Sequence, residues 1–106
     1  MTTVKAIFDG MPGTFLPEKA VGMNAVIQFD ITGDGGGRWY AAIENGALQV
    51  VEGQHAAPQL TLSAKTQDYI DISTGKLNGQ LAFMTGRLTA KGDLGLAMKM
   101  ATIFKM

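Results

Sequence analysis

The chain has 106 residues and a formal net charge of zero, enough for one hydrophobic core, and we predict a single domain over residues 1–106. Its Lys and Arg residues are scattered, which disfavours nucleic-acid binding, and the lack of cysteine excludes a disulfide framework and thiolate chemistry. No signal peptide is recognisable, and no apolar run approaches the roughly 20 residues of a membrane span. We therefore expect a cytoplasmic protein.

The N-terminal region predicts two short helical segments. Residues 2–9 have helical spacing of apolar residues, and Gly10, Pro12 and Gly13 should end that helix. Pro17 can open a second segment, because proline is tolerated at the first position of a helix.

Four strands follow, and alternation of apolar and polar residues defines them. Asn45-Gly46 is typical of a two-residue hairpin turn, because both central positions of such a turn need a positive φ. The predicted strands cover residues 24–32, 38–44, 47–52 and 59–64.

The hydrophobic period then becomes helical. Thr66 can cap one short helix that ends at Gly75, and Asn78 can cap another that ends at Gly86. A strand over 87–91 and a helix over 94–105, capped by Asp93, complete the chain. Four meandering strands followed by helices predict an α+β fold with a mostly antiparallel sheet covered on one face.

Residues that could carry catalysis or bind metal are sparse. His55 is the only histidine and lies in a predicted loop, without the partners of a catalytic triad or enough ligands for zinc. Asp68 and Asp71 share one helix face, where solvated carboxylates are the simpler interpretation. We predict no catalytic set, no metal site, no cofactor and no enzymatic activity.

The last helix is more apolar than a surface helix requires. Its apolar residues cover about half of the helix circumference, whereas packing on a sheet needs an arc of roughly 100°. The surplus suggests an apolar ligand. The alternative is a homodimer that buries the edge formed by Leu96, Met100 and Ile103, in which case the surplus needs no ligand. Trp39, the only tryptophan, can fill the core or form a pocket wall.

The C-terminal quarter resembles the signature of the sterol carrier protein 2 (SCP2) family. Segment 75–78 reads GKLN and segment 82–99 reads AFMTGRLTAKGDLGLAMK, which combines a helix, a glycine turn, a strand, a Gly-Asp turn and a Met-rich helix. Upstream, segment 26–33 (VIQFDITG) resembles the family's first strand, and Asn45-Gly46 with Gly53 matches its hairpin region.

This resemblance implies a five-stranded, mostly antiparallel sheet with helices on one face and an apolar tunnel between the layers that holds a lipid. Carried over by position, and together with Trp39, it suggests a lipid-binding set. The set is Trp39, Tyr69, Ile72, Phe83, Met84, Leu88, Leu94, Met98, Ala101 and Phe104.

We therefore expect non-catalytic binding and carriage of a fatty-acyl, isoprenoid or sterol-like lipid. Lys99 and Lys105 fall on the polar arc of the last helix and could meet a head group or, transiently, a membrane surface. The alternative is an accessory domain that holds a lipid intermediate for a partner enzyme, or that dimerises through the last helix. A small hot-dog thioesterase would need a long central helix and a paired carboxylate, neither of which the sequence predicts.

Overall fold

The computed structural model describes residues 3–103 and, of Ala101, the backbone alone. The helices are α1 (Val4–Thr14), α2 (Thr66–Ser73), α3 (Gly79–Met84) and α4 (Leu94–Ile103), with a 3-10 turn at Pro17–Lys19. The strands are β1 (Ala25–Thr32), β2 (Gly37–Glu44), β3 (Ala47–Glu52), β4 (Leu60–Lys65) and β5 (Leu88–Gly92). No helix within residues 3–103 has the length and apolar character needed to cross a membrane.

The five strands form one mixed sheet in the order β3-β2-β1-β4-β5. β1, β2 and β3 pair antiparallel as an ordinary meander, and Asn45 and Gly46 have φ values of 52° and 77°, which confirms the predicted turn. β4 pairs parallel with β1, and β5 pairs antiparallel with β4 at the edge. The predicted α+β fold with a mostly antiparallel sheet is confirmed.

The prediction of four meandering strands is wrong at β4, which crosses the sheet to lie beside β1 instead of β3. The crossing places Leu60 and Leu62 in register with Ile27 and Phe29 of β1, so four apolar side chains share one face. Alternation within a strand predicts its inward face but carries no information about its neighbour.

The connection 53–59 makes this crossing against the other face of the sheet, and Gln28 holds it there. The Gln28 side chain is completely buried. Its amide nitrogen donates to the carbonyl oxygens of Trp39 and Gly53 at 3.1 and 3.0 Å, and its Oε1 accepts from the His55 backbone amide at 2.9 Å. These three hydrogen bonds, together with a longer one of 3.5 Å from the amide nitrogen to Asp30 Oδ1, compensate for the burial of one polar side chain.

Helix α1 continues to Thr14 and does not end near residue 9 as predicted. Val4, Phe8 and Met11 are buried at a spacing of three to four residues, so the apolar stripe continues past Gly10. Pro12 lies in the last turn, where the helix ends two residues later. Packing of this stripe outweighs the local preference of glycine and proline against helix, which is about 1 kcal/mol for glycine and about 3 kcal/mol for an interior proline.

The core lies between one face of the sheet and the helices. Its centre is tightly packed, since Ile27 and Ala41 of the two central strands and Val4 of α1 are at most 1% exposed. The Phe8 ring stacks on Trp39 at 4.6 Å and on Tyr69 at 5.2 Å between centroids. Helix α1 is thereby fixed to the sheet and to α2 through one aromatic ring.

Two of the three predicted helix caps are confirmed in the second half of the chain. The Asn78 side chain accepts from the amides of Gln80 and Leu81, and that of Asp93 accepts from Leu96 at 3.1 Å. The predicted Thr66 cap is wrong, because Lys65 occupies the N-cap position and the Thr66 hydroxyl donates to the Thr32 carbonyl instead.

The turn between β5 and α4 requires glycine. Gly92 has a φ of 114°, and a Cβ there would collide with the Gln59 carbonyl oxygen. That oxygen accepts from the Asp93 amide at 2.9 Å, so the start of α4 is tied to the start of β4. The predicted Gly-Asp turn thus has a steric reason.

Candidate functional site

The predicted lipid-binding residues separate into an interior group and an exposed group. Trp39 and Tyr69 are 6% and 8% exposed and belong to the aromatic cluster around Phe8. In this structure Trp39 fills the core, which is one of the two interpretations of this residue. Burial also raises the pKa of Tyr69 well above its usual range, because the phenolate would lose its hydration.

On the sheet face that carries the helices, Leu60 and Ala64 of β4 are buried, but Leu62 between them and the neighbouring β5 are less well covered than the centre of the sheet. Leu62, Leu88 and Ala90 point to this face by their register, yet all three are only half-buried. Phe29, the neighbour of Leu62 on β1, is 2% exposed. We call this thinly covered apolar surface, formed by Leu62, Leu88 and Ala90, the β4–β5 floor.

Helix α3 packs beside the β4–β5 floor and leaves most of its large side chains outside. Ala82 is completely buried, whereas Leu81, Phe83 and Met84 are 56%, 48% and 74% exposed. Met84 follows Ala82 by two positions, which at 3.6 residues per turn places it about 160° from the buried side. The predicted site residues Phe83 and Met84 are therefore at the surface in this conformation.

Helix α4, like α3, has one buried side and one side that exposes large apolar residues. Leu96 and Ile103 are 6% and 1% exposed and pack into the core, while Leu94 and Met98 are 54% and 78% exposed. Leu94 and Met98 are each two positions from Leu96 and so face away from the sheet. In this conformation neither lines a space between helix and sheet, because the Leu96 side of the helix forms the core contact instead.

The burial of one side of α4 also limits the predicted dimer edge formed by Leu96, Met100 and Ile103. Leu96 and Ile103 are already buried within the chain, so they leave only half-buried Met100 of that edge for a partner. The Ala101 side chain, Phe104 and Lys105 lie outside the described residues, so their predicted roles stay predictions. Ile72, on α2, is half-buried.

A sequence profile of the SCP-2 sterol transfer family matches residues 14–105. The chain belongs to this family. Hydroxysteroid dehydrogenase-like protein 2 from Danio rerio is 32% identical over 104 residues, which cover 97% of this chain and 25% of that protein. Sterol carrier protein 2 like 2 from Aedes aegypti is 25% identical, with a TM-score of 0.76 and 95% of each chain covered.

The same SCP2 fold occurs within a much larger chain. The stereoselective inverting sec-alkylsulfatase Pisa1 from Pseudomonas sp. superposes with a TM-score of 0.82 over 99% of this chain but 17% of its own, at 19% identity. The chain spans about a quarter or less of the length of the curated relatives it matches. SCP2 family membership implies lipid binding, in a domain class that is generally non-catalytic.

Two open clefts border α4 of this SCP2 domain, on the side toward the N-terminal segments. One, of about 350 Å³, is lined by Asn24, Gln59, Asp93 and Lys99 among others. The other, of about 210 Å³, lies between Lys19 and Lys99. Polar and charged side chains contribute to both, and neither is an enclosed apolar tunnel, so the tunnel itself stays a prediction.

No group of three or more potential metal ligands occurs within residues 3–103. His55, which lies in a loop as predicted, is half-buried. Its Nδ1 accepts from the Ala57 amide at 3.0 Å, and its ring meets the edge of Tyr40 at 5.1 Å. Its contacts are those of a structural residue in the crossing connection.

Three residues that shape the aromatic core and the β4–β5 floor were not predicted as site residues from the sequence. Phe8 was assigned to an N-terminal helix without a role, although it touches both Trp39 and Tyr69. Ala90 alternates with Leu88 on the inward face of β5, so the same periodicity could have identified it. Leu62 belongs to the β4–β5 floor only because β5 pairs with β4, and the sequence pattern does not reveal this pairing.

Proposed function

We propose that this SCP2 domain binds and carries an apolar lipid tail over the β4–β5 floor, between the sheet and helices α3 and α4. The observation that carries the proposal is the half-burial of Leu62, Leu88 and Ala90 on a sheet face whose central residues are almost fully covered. A tail placed there would complete the cover that the helices leave thin.

Transfer of the lipid's methylene groups out of water would provide the binding free energy. Each methylene that leaves water contributes about 0.8 kcal/mol, so roughly fifteen methylenes contribute about 12 kcal/mol, which leaves micromolar affinity after an association cost of about 4 kcal/mol. A fatty-acyl or isoprenoid chain satisfies this requirement without any specific polar contact. Ile72 and Phe83 stand as further proposed wall residues at the α2 and α3 sides of the floor.

Met84, Leu94 and Met98 can join this site only if the helices move. All three face away from the sheet in the described conformation, so their proposed contact with a ligand requires α3 or α4 to rotate or lift. Such movement would act as a gate for loading and involves no chemistry.

The test is binding of a fluorescent fatty acid to the wild-type chain and to Ala90→Trp. The indole would fill the space above the floor, and we expect a loss of affinity of about tenfold or more. Thr89→Trp is the matched control, because residue 89 lies on the opposite face of the same strand and is exposed. Equal affinity in all three proteins, or no binding by the wild type, would reject the proposal.

An accessory role is the second candidate, favoured by the small share of its relatives that the chain spans. In this role the domain would hold a lipid for a catalytic partner instead of moving it between membranes. Native mass spectrometry and pull-down with the chain as bait would distinguish the two. A stable complex with one enzyme supports the accessory role, and vesicle-to-vesicle transfer by the isolated chain supports carriage.

A further inference from the structure

The two edge strands of the sheet differ in how well they are protected against pairing with another chain. β5 is only five residues long, exposes Lys91 and ends at Gly92 with a φ of 114°, and all three features discourage a further strand. β3 has six residues, and its segment 47–51 contains no charged residue, glycine or proline. Of the two edges, β3 is therefore the one that can accept another strand.

The even-numbered residues of β3 direct their backbone amides and carbonyls away from the sheet. The Gly53 amide donates to the Arg38 carbonyl at 2.8 Å, so the register makes these two residues a hydrogen-bonded pair between β3 and β2. Such pairs alternate along an antiparallel ladder, so the odd-numbered residues bond to β2 while Leu48, Val50 and Glu52 point outward. No group within residues 3–103 takes up these outward amides and carbonyls.

The side chains at this edge are also incompletely covered. Leu48 and Val50 lie opposite Ile43 and Ala41 of β2, on the sheet face that carries the helices. Both pack against the core, yet both are only half-buried. A strand added beside β3 would cover them further and would bond the outward backbone groups at the same time.

We propose that β3 pairs antiparallel with β3 of a second copy of this chain, about a two-fold axis at Val50. In this register Val50 lies opposite Val50 of the second copy, and Leu48 lies opposite Glu52 on either side of the axis. All outward residues then form hydrogen-bonded pairs, which gives six backbone hydrogen bonds. The adjacent registers that keep the same residues bonded leave two such pairs and four bonds.

The charges of β3 are compatible with this symmetric partner. Glu52 is the only charged residue of the strand, and in this register it lies four residues along the strand from Glu52 of the second copy, a separation of about 13 Å. This separation exceeds the Debye length of about 8 Å at physiological ionic strength, so repulsion between the two carboxylates is weak. The strand is thus complementary to itself in its backbone, apolar and charged groups.

Lys5 of α1 reduces this repulsion further. The hydrogen bond from Lys5 to Asp9 raises the pKa of Lys5 above its usual range, and the negative charge of Glu52 adds to the rise. Lys5 is therefore close enough to Glu52 to offset part of its charge within each copy.

The pairing is independent of the proposed lipid site. β3 and β5 are opposite edges of the sheet, and a two-fold axis perpendicular to the sheet keeps the helices of both copies on one face. The combined sheet would have the two β4–β5 floors at its far ends. The inference goes beyond the proposed function, since it concerns the other edge of the sheet and needs no ligand.

The first test is sedimentation velocity and amide hydrogen exchange of the full chain between about 5 µM and about 1 mM, because interfaces below the standard size are weak. We expect a monomer–dimer equilibrium. The amides of Leu48, Val50 and Glu52 should exchange about fivefold or more slowly at the high concentration. The odd-numbered amides of β3, which are already bonded to β2, should change much less.

The second test places charges at the two-fold axis. Val50→Lys brings two ammonium groups opposite each other, and Val50→Glu does the same with two carboxylates. Each variant alone should weaken the dimer about tenfold or more, and an equimolar mixture should restore it to within about threefold of the wild type. Thr89→Lys and Thr89→Glu, at an exposed position of the opposite edge strand, are the matched controls and should have no effect alone or mixed.

Glu52→Pro is a further variant that keeps the half-buried side chains of β3. It removes an outward amide that β2 does not use, so the single chain should stay folded by circular dichroism while the dimer weakens about tenfold. This variant decides the outcome if the Val50 variants fail to fold. A wild type that is monomeric at every concentration, folded Val50 variants that mixing does not rescue, or a dimer that Glu52→Pro leaves intact would each overturn the proposal.

Discussion

At the scale of single residues, Phe8 makes the clearest contribution to the fold. It is 1% exposed and stacks on Trp39 and Tyr69, with Phe29 meeting its edge at 5.1 Å. Residues of β1, β2 and α2 therefore all contact the Phe8 ring. Trp39 and Tyr69, two residues predicted to touch lipid, each have one ring face stacked against Phe8.

Phe8→Ala should destabilise the protein by about 3–5 kcal/mol, because it removes a buried ring and leaves a cavity among three aromatic side chains. Urea unfolding followed by circular dichroism measures the change. Phe83→Ala is the matched control, since that phenylalanine is 48% exposed and should cost well under half as much. Similar losses at the two positions would show that Phe8 is not the packing centre.

Gln28 is the second residue whose role follows from its contacts. Gln28→Leu keeps a similar volume but leaves the Trp39 and Gly53 carbonyls and the His55 amide without their partner. We expect a loss of at least about 2 kcal/mol in the free energy of unfolding. Faster hydrogen exchange should be confined to the connection 53–59.

Gln49→Leu provides the comparison for this prediction. Gln49 is exposed on β3, so its replacement should change the stability by about 0.5 kcal/mol or less. If Gln28→Leu were equally mild, ordered water would have to replace the three bonds, and the connection would not depend on this side chain.

At the scale of elements, α4 shows how one helix serves two surfaces. Its Leu96 side packs on the sheet, and its Leu94 and Met98 side is exposed. The excess of apolar residues recognised in the sequence is therefore real, but it lies on the outside of the described helix. The position of the whole element depends on the Asp93 cap and on the close approach of Gly92 to Gln59.

Asp93→Ala should cost about 1 kcal/mol, because the Leu96 amide loses its acceptor at the first turn of α4. Asp93→Asn should restore nearly all of this, since asparagine caps equally well. Thermal unfolding of the two variants beside the wild type measures the difference. An asparagine variant as unstable as the alanine variant would mean that charge, and not capping, is what Asp93 supplies.

At the scale of the whole molecule, coverage of the sheet is uneven. The helices close the face over β1 and β2 and leave the β4–β5 floor half-covered. The charge is uneven as well, with opposite net charges on residues 1–73 and 74–106. Leu88 and Ala90 of the thinly covered floor belong to the positively charged part of the chain, whereas Leu62 lies before it.

A lipid that binds the folded state alone must raise the stability of the whole domain. At a free concentration roughly a hundredfold above its dissociation constant, a fatty acid should add about 2.7 kcal/mol to the free energy of unfolding. Thermal unfolding at increasing fatty-acid concentration measures this. The melting temperature of Ala90→Trp should not respond, and an equal response in both proteins would place the ligand elsewhere.

Much of the fold was predictable because its signals are local. Alternation identified the strands to within one residue at most ends, the Asn45-Gly46 turn followed from backbone sterics, and two helix caps followed from side-chain chemistry. The neighbour of β4 and the true end of α1 were not predictable. Both depend on contacts between residues distant in sequence, which local periodicity does not encode.

The same limit on prediction from sequence applies to the candidate site in the C-terminal quarter of the chain. The sequence by itself determined the strand, the glycine turn, the capped helix and the family to which they belong, because these depend on residue type and spacing. Only the tertiary structure decided that Leu96 and Ile103 face the core while Leu94 and Met98 face outward. A helix with apolar residues around half of its circumference fits a sheet in more than one rotation, and packing against β4, β5 and the N-terminal segments selects one of them.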